Sequence, residues 1–137
     1  AYLATDNRRE PMRFTPEMSR PARAVEVWAA LRSLGKGGLA EMIDRTCRHA
    51  QTFAAGLKAA GYEVLNDVVL NQTLVSFGDD EKTRKVISSV QNDGTCWCGG
   101  TVWHGRAAMR ISVSSWATTD QDVQKSIKAI VRIADQC

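Results

Sequence analysis

Cys96-x-Cys98 and His104 put two thiols and an imidazole in one short stretch, and zinc is held by such donors when a fourth completes the tetrahedron. No second pair stands nearby to supply that ligand. Period-two alternation instead sends Cys96 and Cys98 to one face of a strand, where cysteines serve as small apolar packing residues. The expectation is packing, with no metal site. Gly35-Lys36-Gly37-Gly38 opens a helix and could offer backbone N–H groups to a phosphate. It lacks the Walker spacing and does not follow a strand, as both phosphate-loop fingerprints require, so it reads as an interhelix turn. The chain has two histidines and no serine, histidine and acid arrangement, which leaves nucleophilic hydrolysis little support. His104 reads as a turn residue.

Arg110 is different. Met109, Ile111 and Val113 form one side of a strand pattern, and Arg110, Ser112 and Ser114 form the other. A guanidinium projecting from a central strand calls for an anionic partner, and its planar fork matches a carboxylate two bonds at a time. Two readings follow: a structural salt bridge or exposed edge position, and a carboxylate-binding group.

The elements that must position Arg110 are legible from spacing. Ser19 is a good N-cap with Pro21 in the first turn, and Ala22, Val25, Trp28, Ala29 and Leu34 recur at helical spacing. Gly35 stops that helix. After a flexible turn at Gly35–Gly38, Leu39, Met42, Ile43, Cys47, Ala50, Phe53, Ala54 and Leu57 trace a second helix, ending at Gly61. Tyr62–Leu65 and Thr73–Phe77 read as strands, with Asn66, Asp67 and Asn71 supplying turn chemistry. Asp79–Val90 returns to helical spacing and Asn92-Asp93-Gly94 closes it. Thr95–Trp103 and Ala107–Ser114 are strand-like, with His104, Gly105 and Arg106 as the bend. Thr119 and Asp122 form a capping box ahead of Val123, Ile127, Ile130, Val131 and Ala134. The order predicts an α+β fold: a two-layer sandwich of a mostly antiparallel sheet with helices packed on one face.

With 137 residues, 44% apolar and 24% charged, the chain has the proportions of one soluble globular domain. A chain of that size builds a core without disulfide or metal staples, and its four scattered cysteines fit a reducing cytoplasm. The net charge of +3 comes from 18 basic and 15 acidic residues spread evenly, which argues against nucleic acid as a partner. No apolar run is long enough to cross a bilayer, so a membrane is not expected either. Ala1 in place of methionine, and the polar, irregular stretch 1–16, predict a piece of something longer. Residues 1–18 read as linker and 19–137 as the folded domain.

Three segments in order, SRPARAVEVWAALRSLGKGG (Ser19–Gly38), VVLNQ (Val68–Gln72) and AMRISVSS (Ala108–Ser115), resemble the C-terminal small domain of the group II pyridoxal-phosphate-dependent amino-acid decarboxylases. That family has the aspartate-aminotransferase fold, fold type I. The resemblance spans essentially the whole chain. It implies that Arg110 holds the substrate α-carboxylate, and that Tyr2, in Ala1-Tyr2-Leu3, is the mobile-loop tyrosine that returns a proton to the α-carbon. Arg20 and Arg23 match arginines at the start of the first small-domain helix, where a structural role is implied; Pro21 stands where the family more often has a second arginine.

The resemblance implies pyridoxal phosphate as cofactor, bound by a large domain outside this chain. The lysines at Lys36, Lys58, Lys82, Lys85, Lys125 and Lys128 do not reproduce the family's histidine-lysine motif. The expected function is therefore that of the C-terminal fragment of a cytoplasmic, homodimeric decarboxylase acting on an L-amino acid and inactive alone. Its partners would be its own large domain and a second subunit. A pyridoxal-phosphate aminotransferase fragment and a non-enzymatic α+β binding module are the alternatives.

Overall fold

The computed structural model describes residues 22–137. Tyr2, Ser19, Arg20 and Pro21 lie outside the described residues. The described residues fall into two units, 22–36 and 37–137. In the first, the helical residues leading to Lys36 expose Val25, Val27, Trp28 and Leu31, and the Arg32 guanidinium stands 5.9 Å from the centre of the Trp28 ring.

Helix α1, Arg23–Ala59, is two helices joined at Gly35, whose φ of 62° and ψ of −176° are not helical. The expected flexible turn over Gly35–Gly38 is corrected here. Only Gly35 leaves the helix, because a single residue at positive φ breaks the ladder and helical geometry resumes with Lys36.

In the second unit α1 is followed by β1 (Glu63–Val64), β2 (Gln72–Ser76), α2 (Asp80–Asp93), β3 (Gly99–Trp103), β4 (Arg106–Ser112) and α3 (Asp120–Gln136). The sheet order is β1-β2-β4-β3 with every neighbouring pair antiparallel. Strands β2 and β3 therefore run parallel, joined through α2, with β4 inserted between them. The predicted bend at 104–106 needs only two residues. His104 (φ 47°) and Gly105 (φ 80°) both take positive φ, which suits the twist of a two-residue hairpin and leaves Arg106 free to pair with Trp103.

Within this unit the Gly37–Ala59 part of α1, α2 and α3 cover one face of the sheet. Ala50, Phe53 and Leu57 of α1, Val86 and Val90 of α2, and Val123, Ile127, Ile130 and Ile133 of α3 meet Val75, Met109 and Ile111 of the sheet in one core. The expected α+β sandwich is the fold observed. Thr73, fully buried in β2, is satisfied by donating its hydroxyl to the Ala50 carbonyl at 2.8 Å, which stitches the sheet to α1.

The helix ends obey their sequence signals. Asp79 caps α2 by accepting the Lys82 N–H at 2.7 Å, and Gly94 ends it at φ 74°. Thr119 and Asp122 form the reciprocal box that opens α3. The Thr119 hydrogen bonds hold the Asp122 carboxyl below the ordinary carboxylate range. Asp80 also accepts the Ala107 N–H at 2.9 Å, fixing the start of α2 to the start of β4.

Helix α1 approaches α3 closely at Gly56, where an added Cβ would stand 2.9 Å from Ile127 Cδ1 and 3.0 Å from its Cγ2. Gly56→Val is expected to destabilise by about 1–3 kcal/mol through overpacking, read by urea unfolding. Part of that loss should be recovered in an Ile127→Ala background; equal losses in both backgrounds would show that Ile127 is not the obstacle.

Candidate functional site on the open sheet face

Alternation along β4 divides its side chains between two environments. Ala107, Met109 and Ile111 enter the core, whereas Arg106, Arg110 and Ser112 face the opposite side, which neither α2, α3 nor the Gly37–Ala59 part of α1 covers. Pairing brings Leu74 of β2 and Gly99 of β3 opposite Arg110, and Gln72 opposite Ser112, so these residues share the open face. Ala108 lies on the same face but is fully buried.

The two arginines of that face have different fates. Arg106 is committed: its two terminal nitrogens donate to the Glu63 oxygens at 3.1 and 2.6 Å, and one reaches Ser76 Oγ at 3.4 Å. Hydrogen bonding to Arg106 holds the Glu63 carboxyl below its ordinary range. Arg110 is exposed, and among the described residues it has no hydrogen bond or ion pair. Its guanidinium leans over β3, with one terminal nitrogen 3.7 Å and Nε 4.0 Å from where a Cβ on Gly99 would stand. A planar, bidentate cation with no partner among the described residues is thus held on a rigid strand, suited to a carboxylate.

The remaining candidates are the cysteines and His104. Cys98 is buried in the core and Cys96 packs partly against it. Neither is in a strand, however, because β3 starts only at Gly99; the expected shared strand face is corrected to an irregular segment, in which the Cys98 carbonyl accepts from Gln91 at 2.8 Å. Burial pushes the Cys98 thiol up to about 12, and the Cys96 thiol is raised for the same reason. Among the described residues no three His, Cys, Asp or Glu side chains are grouped to hold a metal. His104 is the exposed turn residue it was read to be.

His49 escaped the sequence reading. It is 3% exposed, and its Nε2 lies 3.0 Å from Asp120 Oδ1 at the start of α3, while its buried Nδ1 has no partner among the described residues. One turn earlier Arg45 donates to the Trp116 carbonyl at 3.1 Å. Together they tie the loop that follows β4 to α1. Spacing could have found His49, because it stands four residues before Phe53 and eight before Leu57, along the apolar stripe.

Comparison with known proteins agrees with this architecture. No protein-family model matches the chain. Histidine decarboxylase of Drosophila melanogaster is 32% identical over 126 residues, covering 90% of this chain but 15% of the fly protein. The chain thus spans under a sixth of the length of that curated relative. Among solved structures, Oryza sativa TDC with PLP and tryptamine matches 88% of this chain and 28% of its own at a TM-score of 0.78 and 19% identity. Catharanthus roseus tryptophan decarboxylase in complex with L-tryptophan matches 84% of this chain and 26% of its own, at 0.76 and 19%. In sequence and fold the chain matches a C-terminal portion of a group II pyridoxal-phosphate-dependent decarboxylase. No helix among the described residues is long and apolar enough to cross a membrane.

The raised thiol predicts that Cys98 resists iodoacetamide at pH 8.5 in the folded chain and reacts once urea unfolds it. Mass-spectrometric mapping reads this directly, and rapid native labelling of Cys98 would contradict its burial.

Proposed function

We propose that this chain is the C-terminal small domain, beginning at Ser19, of a cytoplasmic, homodimeric, pyridoxal-phosphate-dependent enzyme that releases carbon dioxide from an L-amino acid. The observation that carries the reading is the contrast on the open sheet face. Arg106 is spent on Glu63, while Arg110 has no partner among the described residues. The chain carrying it resembles decarboxylases along nine-tenths of its length.

The described residues do not fit the cofactor itself. Its lysine would need a desolvated pocket, yet every described lysine is exposed except half-buried Lys82. Attachment of the cofactor is therefore assigned to the part of the protein outside this chain. For the same reason the fragment alone is expected to be inactive.

What this chain supplies is orientation and a proton. The Arg110 fork takes both oxygens of the α-carboxylate and fixes the direction of the bond that breaks. Tyr2, whose hydroxyl is a proton donor, is assigned the return of a proton to the α-carbon after carbon dioxide departs. Because the arginine contacts a group common to all amino acids, it does not choose among side chains.

In full-length protein, Arg110→Ala is expected to lower kcat/KM by about 10- to 100-fold, the worth of hydrogen bonds to a charged group. Unchanged kinetics would remove Arg110 from the site. Tyr2→Phe should slow amine formation while leaving substrate affinity nearly intact; a normal rate with normal product would sink its assignment. Product analysis decides the reaction type, since a keto acid in place of the amine would identify an aminotransferase.

A further inference from the structure

We propose that Gly99 is a positioning residue for Arg110: the absence of a side chain on β3 gives the guanidinium the place from which it meets a carboxylate. This rests on the assignment of Arg110 as the carboxylate-binding group, and it adds a specific requirement at a residue that touches no substrate.

Gly99 pairs directly with Arg110 across the β3–β4 ladder, so the two residues share the open face. On the other side of β4, the residue opposite Arg110 is Leu74, an apolar side chain that is 7% exposed and fills its place on β2. The guanidinium therefore lies toward β3, within 3.7 and 4.0 Å of the empty Cβ position. One ladder step further, Thr101 occupies the same face of β3, and beyond it Trp103. Gly99 is the one position of that β3 row that leaves the space open.

The glycine is not required by the backbone. Gly99 is absent from the residues with positive φ, so any L-residue could adopt its conformation. Nor does glycine favour a strand, where β-branched residues are preferred. A glycine kept for stability would serve a turn, a bulge or close backbone packing; here, among the described residues, its Cβ position meets only the Arg110 side chain. Sterics also grade the substitutions. A bare Cβ at 3.7 Å is in ordinary van der Waals contact and leaves the guanidinium where it is. The branched methyls of valine extend into the volume the guanidinium fills and displace it.

The test uses full-length protein and the L-amino acid that releases carbon dioxide fastest from a panel of the twenty. Gly99→Ala should stay close to wild type. Gly99→Val should raise KM about tenfold or more with a smaller change in kcat, while its Tm is unchanged or higher because valine is the better strand former. In an Arg110→Ala background the same valine should add no further loss, since the group it displaces is gone. A Gly99→Val protein with wild-type kinetics, or with the same loss in both backgrounds, would overturn the inference while leaving Arg110 in place. A kinetically silent Arg110→Ala, or no release from any amino acid, would overturn the underlying reading and this inference with it.

Discussion

The register of β4 between β2 and β3 is the constraint on which the rest depends. Side chains alternate along a strand, so a slip of one residue would bring Arg106, Arg110 and Ser112 into the core and turn Met109 and Ile111 to the open face. Three features oppose that slip. Met109 and Ile111 are locked among residues of all three helices, the two-residue turn at His104 and Gly105 sets the hairpin pairing, and Asp80 holds the Ala107 N–H from the start of α2. The exposed guanidinium is thus a consequence of burying its neighbours.

A rigid sheet with one free face is a sound platform for a charge that must be held in one direction. Arginine on a mobile loop would lose side-chain and backbone entropy each time it met a carboxylate. On β4 the backbone portion of that cost is already met by folding. The neighbouring pair of Arg106 and Glu63 neutralises one guanidinium within the face, whereas Arg110 has no ion-pair partner among the described residues. The ties from Arg45 and His49 to the loop after β4 extend the same rigidity past the end of the strand.

Much of this was legible in the sequence because local and tertiary preferences agree. The capping box at Thr119, the glycine at 94 and the apolar stripe of α3 each act within a few residues, and each marks the end or face it predicted. The alternation about Arg110 was readable for the same reason. Less legible was whatever depends on distant partners. Cys96-Trp97-Cys98 alternates as a strand does, yet it does not join the ladder, its two cysteines packing on the core while Trp97 stays exposed, and only Glu63 and Val64 of the Tyr62–Leu65 stretch are regular strand. The partner of His49 lies 71 positions away on α3, which no local pattern reveals. Likewise the commitment of Arg106 depends on Glu63, 43 positions away in the edge strand β1.

The domain is proposed to serve the loss of carbon dioxide from an amino acid. The most direct measurement is the visible absorption of the full-length protein, taken with and without a panel of L-amino acids while carbon dioxide is monitored. A bound pyridoxal chromophore with carbon dioxide released from one or a few amino acids is the predicted result. A chromophore that responds to amino acids without release, or no chromophore at all, would contradict it.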